Sequence, residues 1–383
     1  MLEIISMAVA FQATHLFDNL VTVLFAIFMS TWAALFLEGW KRRQNELAWK
    51  WDLLDFELEE DVIRPEFLRT AKKLAVNPIT KETEPYLPFP ERFFRMFTSG
   101  VTVLFFLCLF IAFAIGIIIY RVVMIHHFDK HESSIVRVYA GLAATAVSAL
   151  LNLIIIMLLE RVYTKLAWCL TNWEYPRTQS EFDNSFTCKV FMFQFINYYS
   201  SLFYIAFFKG RFVTLPGSTN ATMFGYKPEM CDMRGCMVEL LIQLSMIMIG
   251  KQFINNFFEI GIPVITKKFR QMRQAWKYSC RLPWEFDYYL NPVPPTYLID
   301  EYLEVVLQFG FVTLFVAAFP LAPFFALLNN IVEIRIDAYK YIVTYRRPTP
   351  VRVKDLGIWN NILESLSNLA VLTNVILSLM FYC

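Results

Sequence analysis

Residues 101–120 carry no charged side chain and are dominated by Phe, Leu and Ile. A helix of about 20 such residues is as long as a bilayer's hydrocarbon core is thick. Similar runs recur along the chain, and charged residues cluster between them. Hydrophobic residues make up 57% of the 383 residues and charged residues 18%, whereas soluble domains are about 45–50% apolar. Backbone polar groups in lipid must be satisfied within the segment itself, which selects helices. The expected fold class is therefore an all-α polytopic membrane protein.

About eight spans are legible, at roughly 19–40, 93–124, 134–160, 188–208, 237–262, 298–318, 322–345 and 358–381. The fifth is open to continuation beyond Pro263. Pro320-Leu321-Ala322-Pro323 breaks the helical run, so the flanking helices are expected to form an antiparallel hairpin. The expected organisation has an N-terminal segment and first span over 1–43 and a cytosolic loop over 44–90. Spans follow over 91–263 with an outer loop at 210–236, then a cytosolic loop at 264–296, then the hairpin and last helix at 297–383. Pro65, Pro78, Pro85, Pro88 and Pro90 mark the 44–90 segment as loop. No strand-rich segment, repeat or low-complexity tract is evident.

Lys and Arg in short loops set orientation. Lys41-Arg42-Arg43, Arg161 with Lys165, Lys267-Lys268 with Arg270 and Arg273, and Arg346-Arg347 with Arg352 and Lys354 follow alternate spans. All then lie on the cytosolic side. The sequon Asn220-Ala221-Thr222 and the cysteines Cys231 and Cys236 share the opposite loop, where glycosylation and a disulfide are possible. The seven cysteines are too few for a disulfide scaffold, and a net charge of +2 without a basic stripe gives no reason to expect nucleic acid. No cleavable signal peptide is evident.

Ionisable groups inside a span are costly and are functional hypotheses by default. Here they concentrate in three helices: Asn255 with Glu259, Glu301 with Glu304, and Glu333 with Asp337, preceded by Asn329 and Asn330. Spacings of three or four residues put each pair on one helical face. All three pairs are expected at similar depth toward the cytosol, with few cations near and Arg335 pointing away. Protonation would relieve the repulsion and suggest a carrier. A hard divalent cation is the other solution. Calcium takes six to eight oxygens, whereas zinc favours Cys and His and magnesium keeps several waters. Charges snorkelling from helix ends are the bland alternative, strongest for Glu301 and Glu304.

Gly250, Gly261 and Pro263 punctuate the helix bearing Asn255 and Glu259, so its lower half is expected to pivot there. Close helix packing is an equal reading of Gly250. His126, His127 and His131 with Asp129, and the acidic run Asp55–Asp61, read as solvated. No P-loop, nucleophile elbow or zincin motif is present, so an enzyme is not expected.

At these residues the sequence resembles the anoctamin family of calcium-activated channels and lipid scramblases. Ile249–Glu259 resembles the calcium-binding stretch of the family's sixth helix, Glu301–Pro323 its seventh, and Leu328–Asp337 its eighth. Phe17-Asp18-Asn19 and Phe36–Arg42 resemble its second helix, and Ala206–Phe212 the end of its fifth. The resemblance implies that the spans correspond to helices 2–9 of a ten-helix fold, that the family assembles as a homodimer, and that Asn255, Glu259, Glu301, Glu304, Glu333 and Asp337 match its calcium ligands. It also implies an ion or lipid groove including the 188–208 helix, where Gln194, Asn197, Tyr198, Ser200 and Lys209 are candidate lining residues. Chloride-selective members tend to carry lysine where Gln194 stands, which points to reduced selectivity. The family's N-terminal domain, first helix and tenth helix have no counterpart, so the chain looks like a truncated member and its dimerisation is in doubt.

The expected function is calcium-activated transport of chloride or other small ions, of phospholipid, or of both. The expected location is the plasma membrane, with intracellular membranes as the alternative. A proton- or cation-coupled carrier and a non-transporting tether or regulatory fragment remain as alternatives.

Overall fold

The computed structural model describes residues 20–53, 63–71, 73–76, 81, 83–129, 134–209, 236–275, 290–348, 350, 353 and 355–382. Asn220 and Cys231 lie outside them, as do the side chains of Cys236 and Glu259. The helices are α1 (Leu20–Lys50), α2 (Pro65–Thr70), α3 (Phe89–Asp129), α4 (Ser134–Glu174) and α5 (Gln179–Phe203). They continue with α6 (Cys236–Ser245), α7 (Gln252–Ala275), α8 (Tyr297–Leu314), α9 (Ala322–Tyr339) and α10 (Ile358–Tyr382). Three π-helical segments interrupt or extend them: Tyr204–Phe208 after α5, Met246–Lys251 between α6 and α7, and Lys340–Thr344 after α9.

Several helices outrun their apolar cores. The first continues to Lys50 and the third apolar run to Glu174, because the Lys, Arg, Glu and Gln that follow the apolar stretch are themselves good helix formers. α5 starts at Gln179, well before the apolar run. Thr178 caps it by accepting from the Glu181 amide at 3.3 Å, while Glu181 Oε2 accepts from the Arg177 amide at 3.0 Å. α7 runs through Pro263 as far as Ala275.

The 44–90 segment is not loop throughout. Strands β1 (Lys73–Val76) and β2 (Thr83–Tyr86) pair antiparallel, with Lys73 opposite Tyr86 and Val76 opposite Thr83. Pro85 is tolerated because a two-stranded ladder leaves each strand an open edge.

Among the described residues, four helical stretches are long and apolar enough to cross a membrane: Val21–Lys50, Phe89–Met124, Ala146–Glu174 and Gln179–Phe208. Their outward faces are apolar, as at Leu104, Phe105, Ile115 and Ile119 of α3. α8 and α9 are helical where expected but carry Asp300, Glu301 and Glu304, and Glu333, Arg335 and Asp337. That charge, not a lack of helix, sets them apart from lipid-facing spans.

Two compact units are present. One comprises Leu37–Asp232 and Val353–Ile362. Its centre is an aromatic stack: Phe193 lies against Tyr163 with centroids 3.7 Å apart, and Phe110 packs on Phe193 at 4.1 Å. Polar bonds tie α4 to α5. Asn152 donates to Ser201 Oγ at 3.1 Å, Asn197 to the Ile156 carbonyl at 3.3 Å, and Tyr198 to Glu160 Oε2 at 2.8 Å. At one end Lys189 Nζ meets Glu174 Oε2 at 2.8 Å. There Phe67, Ala71 and Leu87 form a small core with Ile63 and Tyr175, and Arg177 pairs with Glu84.

The other unit comprises Met1–Phe36, Met233–Arg352 and Leu363–Cys383. Its core includes the fully buried segment from Phe311 to Phe319, where α8 ends and the chain turns into α9. A helix end inside a membrane protein leaves carbonyls that need donors. α10 supplies them. Asn374 donates to the Thr313 carbonyl at 2.8 Å and to Ser30 Oγ at 3.0 Å, and Thr373 donates to the Leu314 carbonyl at 3.2 Å.

Candidate metal centre

The second unit holds the carboxylates. Glu301 and Glu304 are one turn apart on α8, and Glu333 and Asp337 one turn apart on α9. α8 and α9 pack together, and one oxygen each from Glu301, Glu333 and Asp337 lies within 4.8 Å of the others. Oxygens bound to a single calcium ion at about 2.3–2.6 Å are themselves no more than about 5 Å apart. The spacing of the three oxygens is within what a single hard cation spans. Cys and His are absent from the residues that form it and line the adjoining cavity, which argues against zinc.

Glu304 joins through α7. Gln252 Nε2 hydrogen-bonds to Glu304 Oε1 and donates to Glu333 Oε2 at 3.3 Å. Asn256, turned with its nitrogen toward the carboxylate, donates to Glu333 Oε2 at 3.1 Å and to the Gln252 carbonyl at 3.2 Å. Residues Gln252 and Asn256 were not singled out by sequence, although their i, i+4 spacing was available as a signal. Asn255 is half-buried on the same helix. Glu259 follows two turns after Gln252, and its side chain lies outside the described residues. Pro263 has no amide hydrogen, so the Glu259 carbonyl lacks its usual helical donor.

A cation also enters the cluster. Lys340 is buried, with its ammonium bonded to Glu301 Oε1 and 3.1 Å from Asp337 Oδ1. Tyr341 donates to the same Glu301 oxygen at 2.8 Å. The expectation of few nearby cations is corrected here: Lys340, not singled out by sequence, follows Asp337 at i, i+3 and lies against it. Arg335 is exposed.

Above the carboxylates lies a cavity of about 480 Å³ between the π segment and α7 on one side and α8 and α9 on the other. Phe253, Phe257, Phe311 and Phe325 line it, with Lys251, Gln252, Asn256, Glu304, Gln308 and Asn329 as its polar groups. Asn329 therefore lies on the cavity, whereas Asn330 is exposed. Gly250 sits inside the π segment Met246–Lys251, a geometry common at functional sites. A methyl group on Gly261 would meet nothing within 4 Å, so close packing does not explain glycine there. Past the site, α7 is tied to the end of α9: Lys267 donates to the Val343 carbonyl at 2.8 Å.

The expected groove residues lie in the other unit. Gln194, Asn197, Tyr198 and Lys209 are buried and Ser200 is half-buried. Asn197 and Tyr198 are engaged in the bonds that join α4 and α5.

Residues 1–382 match the family model described as "Anoctamin: Calcium-activated chloride channel". The chain is 48% identical to Anoctamin-4 of Bos taurus over 369 residues, covering 95% of this chain and 40% of that protein. It is 47% identical to Anoctamin-3 of Homo sapiens over 366 residues, covering 95% and 37% respectively. It is also 47% identical to Anoctamin-7 of Mus musculus over 369 residues, covering 96% and 43%. The chain thus spans about two fifths of the length of these relatives. With its apolar helices and the oxygen cluster held among α7, α8 and α9, the chain belongs to the anoctamin family.

Proposed function

We propose that this chain is the calcium-sensing and transport-bearing membrane region of an anoctamin, with about eight spans. It carries chloride or other small ions, phospholipid, or both, across a membrane, most simply the plasma membrane. The observation that supports this reading is the cluster of Glu301, Glu333 and Asp337 oxygens within 4.8 Å inside a chain of this family. Glu304 reaches the same place through Gln252, and Asn255 and Glu259 on α7 complete the proposed ligand set, with Asn329 as a further donor.

A bound calcium ion would supply more positive charge than the single ammonium of Lys340 brings to the carboxylates. The protein's own part is to bring α7 to α8 and α9. Gln252 and Asn256 hold α7 to the carboxylates of α8 and α9 through their carboxamides, and Lys267 ties it to the Val343 carbonyl. Glu259 on α7 would join the other carboxylates in holding the ion, and the π segment containing Gly250 would let α7 take up a second arrangement. A ligand biases such an equilibrium by its differential affinity for the two arrangements. The cargo path is proposed along Gln194, Asn197, Tyr198, Ser200 and Lys209. Because several of these are buried, transport requires α4 and α5 to loosen the bonds that join them. Association into a homodimer is proposed on the resemblance alone.

The test is reconstitution of the chain into liposomes, with chloride flux and lipid flip measured across a calcium series. Glu333→Gln and Asp337→Asn are expected to shift activation to higher calcium. Transport that follows pH and ignores calcium would support a proton-coupled carrier instead.

A further inference from the structure

The cluster that suits a divalent cation already contains an ammonium group from its own chain. Lys340 Nζ bonds Glu301 Oε1 and lies 3.1 Å from Asp337 Oδ1, and both carboxylates belong to the trio whose oxygens converge within 4.8 Å. The Lys340 side chain is 8% exposed and its partners Glu301 and Asp337 are half-buried, so the ammonium itself is largely withdrawn from solvent. It opens the π segment Lys340–Thr344, and its ammonium also lies 5.0 Å from the Tyr341 ring centroid.

We propose that Lys340 is a tethered competitor for the metal site, setting how much calcium is needed to fill it; this rests on the reading of the carboxylates as calcium ligands. An oxygen that accepts from an ammonium and a phenol, as Glu301 Oε1 does, cannot present the same lone pairs to calcium. Entry of the ion therefore requires Lys340 to leave. Its long, flexible stem lets the charge move toward the cytosolic boundary without loss of the apolar contacts along it. The binding-competent arrangement is then only a fraction of the free protein, and apparent affinity falls by that fraction. One singly charged ammonium is exchanged for a doubly charged ion, so the competition is lost once calcium is high enough. In its absence, Lys340 keeps the carboxylates from driving α8 and α9 apart.

The test uses the full chain in detergent micelles and calcium chloride as the titrant. Calcium affinity is measured by calorimetry, and the melting temperature is measured in chelator and in saturating calcium. Lys340→Met is expected to bind calcium roughly five- to tenfold more tightly than the unsubstituted chain, the repulsion of a nearby charge having gone. It should also melt lower in chelator and gain more from calcium. Lys340→Gln serves if the Met variant does not fold. Lys340→Arg keeps the charge and should melt like the unsubstituted chain in chelator, with no gain in affinity. Unchanged or weaker calcium binding in both neutral variants overturns the proposal while leaving the metal site standing. An equal fall in melting temperature with and without calcium shows a structural role only and overturns it too. If the unsubstituted chain and the Lys340 variants all take up no calcium, the metal-site reading fails, and this inference with it.

Discussion

Gln252 on α7 and Glu304 on α8 are joined by a hydrogen bond from the carboxamide nitrogen to Oε1, and the same nitrogen lies 3.3 Å from Glu333 Oε2 on α9. One neutral side chain thus connects all three helices of the candidate centre. Its amide donates to two carboxylates on neighbouring helices that would otherwise repel each other.

Replacing Gln252 with Ala removes a hydrogen bond to charged groups, a class that contributes about 1.5–3 kcal/mol. Gln252→Ala should open α7 locally in the absence of calcium. Hydrogen exchange over Gln252–Ala275 should speed up in chelator and return toward the unsubstituted rate when calcium is added. Equal acceleration under both conditions would show that Gln252 has no special part in the empty arrangement.

Lys189 and Glu174 form a pair in which each side chain is 12% exposed. Breaking one partner of a buried pair costs about 3–5 kcal/mol, because the remaining charge is left uncompensated. Lys189→Met should therefore destabilise the chain by about 3 kcal/mol, near the low end because Ser185 still donates to Glu174. The double variant with Glu174→Gln should recover much of the loss. Denaturant unfolding of the two single variants and the double checks this; strictly additive losses would count against the pairing.

Asn374 closes the end of α8 through the Thr313 carbonyl. In membrane proteins such interhelical bonds contribute about 0.6–1.7 kcal/mol. Asn374→Leu is expected to cost about 1 kcal/mol in detergent unfolding, within that range. Calcium affinity should be unchanged, since Asn374 touches none of the carboxylates. A large change in calcium binding would show that α10 couples to the metal centre.

The carboxylates of α8 and α9 were legible because charge within an apolar run is rare and the spacing fixes a face. On α7 the spacing was ambiguous. Asn255 with Glu259 and Gln252 with Asn256 are both i, i+4 pairs, on faces only a fraction of a turn apart, and sequence favours the pair that contains a charge. Lys340 was hidden for a related reason. A lysine near the end of an inward-running helix reads as a boundary marker, and only its position three residues after Asp337 hinted otherwise. The hairpin at Lys73–Val76 and Thr83–Tyr86 was missed because four-residue strands show too little alternation, and Pro85 argued for loop. Helix ends were misplaced wherever polar helix formers extended an apolar run, as at Lys50 and Glu174.

Calcium is proposed to be held by Glu301, Glu304, Glu333 and Asp337, and equilibrium calcium titration of the purified chain tests this without depending on cargo. The unsubstituted chain should bind calcium saturably. Affinity should fall on the order of 10–100-fold or more in Glu333→Gln and in Asp337→Asn, since loss of a group supporting a metal site already costs that much. Saturable binding that is unchanged in both variants, or no binding by a folded unsubstituted chain, would contradict that proposal.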